Sequence, residues 1–281
     1  MIRTDNWQQS TIEELQAVLS QEPSVIALAL FGSALQESTQ FDRWSDLDVL
    51  LVVQDGTLEN FYPTTAWLRS FGEIFAYEQS GDRFRGTTRV CFSDFRRIDF
   101  IITTETNLKR LAEWPRVPFW QGTRLLFTRS AVVAQALLQT WPAPVPALIS
   151  SEDLTAMSHQ FWFKSMVAGY KVVRHDLLIA LHLALDLVRD CCVLGMLLRD
   201  RAEHTDRHRE GGVGNQIVDL LKTTQQPYTA SGILDMIEQS SILFDQLASE
   251  WSEAYQAHRY PLLNWLHHIR ETVVSGPDQN S

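Results

Sequence analysis

The sequence predicts a mixed α/β domain followed by an all-α helical bundle, and three observations carry that prediction. Val25–Phe31 (VIALALF) and Leu47–Val53 (LDVLLVV) are apolar runs of buried-strand length. Residues 154–268 carry few strand signals and read as long helices. Between the two halves lies WPAPVP, residues 141–146, where prolines at alternate positions withhold the donors that a helix or central strand needs. The boundary falls there, giving domains 1–145 and 146–281.

The elements follow in order. Residues 12–19 (IEELQAVL) have the spacing of a short amphipathic helix, with Ser10 and Thr11 as caps. Residues 32–45 form a polar loop between the two apolar runs, and 64–71 read as a helix. Residues 90–92 and 97–103 (RIDFIIT) form a hairpin through Ser93-Asp94-Phe95-Arg96. A last strand at 125–128 and a helix at 131–140 complete the first half. Helix breaks in the second half fall near residues 211–214, Pro227 and Pro261.

Composition narrows the function. With 45% hydrophobic and 21% charged residues, the chain is a soluble globular protein of enzyme size. No apolar run is long enough for a bilayer, and Met1-Ile2-Arg3-Thr4-Asp5-Asn6 lacks the apolar core of a secretory signal, so a cytoplasmic address is expected. Cys91, Cys191 and Cys192 make no disulfide framework. A formal charge of -10 argues against nucleic-acid binding and favours a small cationic partner.

The chemistry concentrates in acids. Gly32 lets the chain turn closely at the end of the first apolar run, and Ser33 offers a hydroxyl and an N–H to a phosphate. Strand alternation points Asp46 and Asp48 to one face, about 7 Å apart, while Leu47 and Val49 point into the core. Such a pair suits magnesium, which takes oxygen ligands and leaves room for phosphate oxygens. Asp99 stands among Ile98, Phe100 and Ile102, where a carboxylate is costly unless paired or metal-bound. Alone, it has a bland account in a salt bridge to Arg96 or Arg97. If residues 97–103 neighbour 47–53, however, it faces Asp46 and Asp48, and three mutually repelling carboxylates make sense around divalent metal.

Gly32-Ser33, Asp46-x-Asp48 and the later strand acid Asp99 together resemble the nucleotidyltransferase fold. In length and in its helical half, the chain resembles the aminoglycoside 6-adenylyltransferase (streptomycin adenylyltransferase) family. That likeness rests further on Phe161-Trp162, Arg174-His175-Asp176, Asp186 and Arg189. The loop after Ser33 reads Ala34-Leu35-Gln36, without the basic residue that many relatives place there. The resemblance implies that Asp46, Asp48 and Asp99 bind two magnesium ions bridging a nucleoside triphosphate, with ATP as the expected donor. It implies that Asp99 or Asp186 takes the proton of an attacking hydroxyl, and that Gly32 and Ser33 steady the terminal phosphates. The acceptor it implies is an aminoglycoside-type antibiotic. A lincosamide or other small metabolite is the alternative, and a non-catalytic nucleotide-binding module on the same fold is the rival of another class.

Residues 177–198 are apolar nearly all round and read as a central bundle helix. His182, Asp186, Arg189 and Asp190 make one polar stripe on it, which His175 extends if the helix starts early. The stripe is either an internal network closed by Arg189 or a ligand cleft. The resemblance favours His182 and Asp186 as acceptor contacts, and Lys171 and Arg174 are candidates for the triphosphate. His204 and His208 lack the acid of a zinc helix, and Gly211-Gly212-Val213-Gly214 lacks the strand and Lys-Ser/Thr of a phosphate loop. The tryptophans read as core and domain filling.

Overall fold

The computed structural model describes residues 7–35, 45–115, 117–139, 141–142, 150–203, 218, 220–221 and 228–274. Gln36 and the rest of the loop to residue 44 lie outside these, as do His204, His208, the glycines 211–214 and most of the proline segment. Contacts divide the chain into two units, Met1–Pro144 and Val145–Ser281.

The first unit is a six-stranded mixed sheet. Its strands are β1 (Val25–Phe31), β2 (Leu47–Val53), β3 (Ile74–Gly81), β4 (Arg85–Phe92), β5 (Arg97–Thr104) and β6 (Arg124–Thr128), in the order β3-β4-β5-β2-β1-β6. β2 and β5 are parallel, and every other pair is antiparallel. The central strands are buried on both faces, so they read as apolar runs. On one face Leu28, Leu30, Leu47, Val49, Leu51 and Phe100 pack with α1 (Trp7–Leu19). On the other, Ala29, Phe31, Leu50, Val52 and Ile101 pack with α2 (Glu105–Leu108) and α3 (Ala131–Leu137).

Three local expectations are corrected. α1 begins at Trp7, so Ser10 lies inside the helix and Thr11 is buried, accepting from Arg96 at 3.2 Å. Residues 66–71 wind as a 3-10 helix rather than an α-helix. The hairpin strand begins at Arg85, and its outer neighbour β3 has no counterpart in the sequence reading.

The second unit is helical: α4 (Ser151–Val173), α5 (Leu177–Glu203), α6 (Ala230–Trp251) and α7 (Arg259–Val274). Ser150 and Asp153 close a capping box at the start of α4. At its end the His175 N–H donates to Val172 and the Asp176 N–H to Lys171, with His175 at φ 56°. That is a Schellman turn with a histidine where glycine is usual. His175 therefore stands in the turn and does not extend the stripe of α5. α5 buries Ala180, Ala184, Leu187, Cys191 and Leu194 along one face, yet Leu178 is 81% and Leu185 51% exposed. It is amphipathic rather than buried all round, because only that face meets α4 and α6.

Candidate active site

The carboxylates gather at one end of the central strands. Asp48 and Asp99 are register partners on parallel β2 and β5, and Asp46 immediately precedes β2. They lie on the sheet face that carries Phe31, Leu50 and Val52 further along, which strand alternation required once β2 and β5 were neighbours. Gly32 follows β1 at φ 64°, and a Cβ built there would lie 2.2 Å from Asp48 Oδ2. Only glycine allows the main chain this close to the carboxylate.

Arginines fill the space around the acids. Arg97 donates from Nε to Asp46 Oδ2 at 3.2 Å, and its Nη2 reaches the same oxygen. Arg89, across the antiparallel β4–β5 pair, donates to Asp99 Oδ2 at 3.1 Å and to Glu78 on β3 at 3.1 Å. Glu78, Arg89, Asp99, Asp48 and Phe31 are thus successive register partners across five strands. Arg96 points the other way. Its side chain is 4% exposed and ties Asp94, Thr11, Glu14 and the Phe71 carbonyl together beneath the start of β5. The bland alternative for Asp99, a salt bridge to Arg96 or Arg97, is not what forms: its ion-pair partner is Arg89.

The Asp99 carboxyl is pushed up to about 6, chiefly by burial and then by the negative charge of Asp46, against the opposing pull of Arg89 and Arg97. The guanidinium of Arg97 is raised in turn, first by its hydrogen bond to Asp46. Asp99 Oδ1 and Ser33 Oγ are buried with no hydrogen-bond partner among the described residues. A buried polar atom without a partner is costly, so both atoms fit a bound group that supplies what they lack. Placed as they are, no three His, Cys, Asp or Glu side chains among the described residues converge on one metal position.

The chain matches the family model described as streptomycin adenylyltransferase over residues 7–261. It belongs to that family. No curated protein matches it. Among solved structures, the streptomycin adenylyltransferase relative here is similar to an aminoglycoside 6-adenyltransferase from Bacillus subtilis, at 12% identity, covering 96% of this chain and 100% of that one, with a TM-score of 0.37. A spectinomycin adenyltransferase from Enterococcus faecialis, solved with ATP and spectinomycin, is 13% identical over 95% of this chain and 99% of that one, at a TM-score of 0.32. A nucleotidyltransferase-like protein from Exiguobacterium sibiricum is 10% identical over 87% and 78%, at 0.33. Family membership makes the chain a nucleotidyltransferase.

The remaining candidates lie in the helical unit. Asp186 and Asp190 on α5 are joined by Lys164 of α4, whose Nζ lies 3.2 Å from Asp186 and 2.5 Å from Asp190. The Arg189 bridge that an internal network would use is loose, at 3.9 Å from Asp186. His182 is exposed one turn before Asp186. Lys171 pairs with Asp176 across the Schellman turn at 2.8 Å, and Arg174 is the C-cap residue of α4. Sequence reasoning missed Arg89, Glu78 and Lys164. The β-branched pair in Arg-Gly-Thr-Thr-Arg-Val was the signal that β4 starts early enough to carry Arg89.

No helix among the described residues is long and apolar enough to cross a membrane.

Proposed function

We propose that this chain transfers AMP from ATP to a hydroxyl of a small cationic acceptor of the aminoglycoside type, at a magnesium site held by Asp46, Asp48 and Asp99. The observation that supports it is the placement of Asp48 and Asp99 abreast on parallel strands, with Gly32 bringing the main chain at the end of β1 against Asp48. Asp46 adds a carboxylate one alternation along, and the unpartnered Asp99 Oδ1 and Ser33 Oγ suit a cation and a phosphate. Magnesium held by these carboxylates, two ions in this reading, would supply charge neutralisation for the triphosphate.

The chain's own residues divide the remaining work. Ser33 and the backbone after β1 hold terminal phosphate oxygens. Asp99 accepts the proton of the acceptor hydroxyl from its position abreast of Asp48. The hydroxyl oxygen bonds to the α-phosphorus as the bond to pyrophosphate breaks. Asp186, one-third exposed and next to exposed His182, contacts an acceptor ammonium. The net charge of -10 draws such a cation by long-range attraction.

Mass spectrometry of candidate acceptors after incubation with magnesium and each nucleoside triphosphate tests this reading. An aminoglycoside heavier by one adenylyl group, with ATP alone as donor, is the expected product. Turnover of a lincosamide but of no aminoglycoside would overturn the acceptor, and no product with any acceptor would overturn the reaction.

A further inference from the structure

Arg89 and Arg97 differ in one respect. Arg89 is held from both sides, by Asp99 on β5 and by Glu78 on β3. Arg97 bonds to Asp46 alone among the described residues and leaves the sheet on the face that carries all three acids, while the two side chains are about equally open, at 58% for Arg97 and 54% for Arg89. Both hydrogen bonds of Arg97 go to Oδ2 of Asp46, which is only about one-fifth exposed, so a divalent cation arriving there competes with a guanidinium already seated on the carboxylate.

We infer that Arg97 is an exchangeable counter-cation: it occupies Asp46 in the nucleotide-free protein, and it turns to the triphosphate when metal and nucleotide enter together. This rests on the metal-dependent nucleotidyl-transfer reading above. Arg89 stays in place as the fixed charge beside Asp99, because Glu78 anchors it. Metal alone then meets a site where two guanidiniums already offset part of the charge of four carboxyl groups. The triphosphate itself carries about four negative charges, which the metal offsets only in part, and its oxygens give the released guanidinium a partner that it matches in geometry as well as charge. Arg97 becomes a phosphate-contacting residue that also makes metal binding depend on nucleotide.

The inference predicts effects of opposite sign from one substitution. The full chain carrying Arg97→Gln is titrated with Mn2+, read by the electron paramagnetic resonance of free Mn2+, with and without a non-hydrolysable α,β-methylene analogue of ATP. Without the analogue, Mn2+ should bind about 2- to 5-fold more tightly than to wild type, the range expected for losing an exposed competing ion pair. With Mn2+ present, the analogue should bind about 10- to 100-fold more weakly, as for a lost charge-assisted hydrogen bond. Arg97→Lys should fall between the two on both readouts, since it keeps charge without the fork. Arg89→Gln should tighten Mn2+ without the large loss of analogue affinity. Unchanged or weaker Mn2+ binding to Arg97→Gln, or unchanged analogue affinity, would overturn the exchange. Wild type failing to bind Mn2+ together with the analogue would overturn the nucleotidyl-transfer reading itself.

Discussion

A Cβ on Gly32 would lie 2.2 Å from Oδ2 of Asp48. The left-handed backbone at the end of β1 and the carboxylate on β2 are therefore fitted to one another. Gly32→Ala should cost about 1–2 kcal/mol from its φ of 64° alone. The methyl must also push Asp48 aside. We expect kcat/KM to fall at least about 100-fold, with a modest drop in Tm, measured by steady-state kinetics and thermal unfolding. A variant with wild-type turnover would show that this approach is not used.

Asp99 links activity to stability with a definite sign. Its carboxyl is raised to about 6 from an ordinary value of 3.8, so between roughly pH 4 and 6 the folded state holds a proton that the unfolded chain releases. Stability from this group is present below that window and is lost as pH rises through it. Asp99→Asn should therefore be more stable than wild type at pH 8 in the presence of a chelator, by up to roughly 2–3 kcal/mol, while losing turnover. The gain should shrink towards pH 4. Urea unfolding at the two pH values checks it, and a variant less stable than wild type at pH 8 would contradict it.

His175 occupies the left-handed position of the Schellman turn between α4 and α5 at φ 56°. His175→Gly should relieve about 1 kcal/mol of backbone strain. A rise of a few degrees in Tm with unchanged kcat is the expected result. Lost activity would instead give the imidazole a role in the reaction.

Lys164, Asp186 and Asp190 form one charge cluster on α4 and α5. Asp186→Asn leaves Asp190 to hold Lys164 and removes the more exposed carboxylate. The acceptor KM should rise about 10-fold or more with the ATP KM unchanged. A matched rise in both would place Asp186 elsewhere in the cycle.

The sequence made the center of the first unit legible, and the reason is physical. β1 and β2 are buried on both faces, so their apolar runs coincide with the strands, Val25–Phe31 and Leu47–Val53. Asp46, Asp48 and Asp99 stood out because acids interrupt or flank strands that are otherwise apolar. β3 left no such trace: six of its eight residues are exposed, and Phe75 and Tyr77 lie open at the sheet edge. Arg89 and Glu78 went unseen with it, since cross-strand pairing depends on register rather than on sequence distance. Lys164 lies 22 residues from Asp186, and a contact between helices has no local pattern.

The central claim is that Asp46, Asp48 and Asp99 serve magnesium-dependent adenylyl transfer. Wild type and Asp48→Asn, each confirmed folded by circular dichroism, are incubated with α-labelled ATP, magnesium and an aminoglycoside panel. Label in an aminoglycoside with wild type, abolished by chelator and by Asp48→Asn, is the predicted result. Equal labelling by the Asp48→Asn protein would contradict the account.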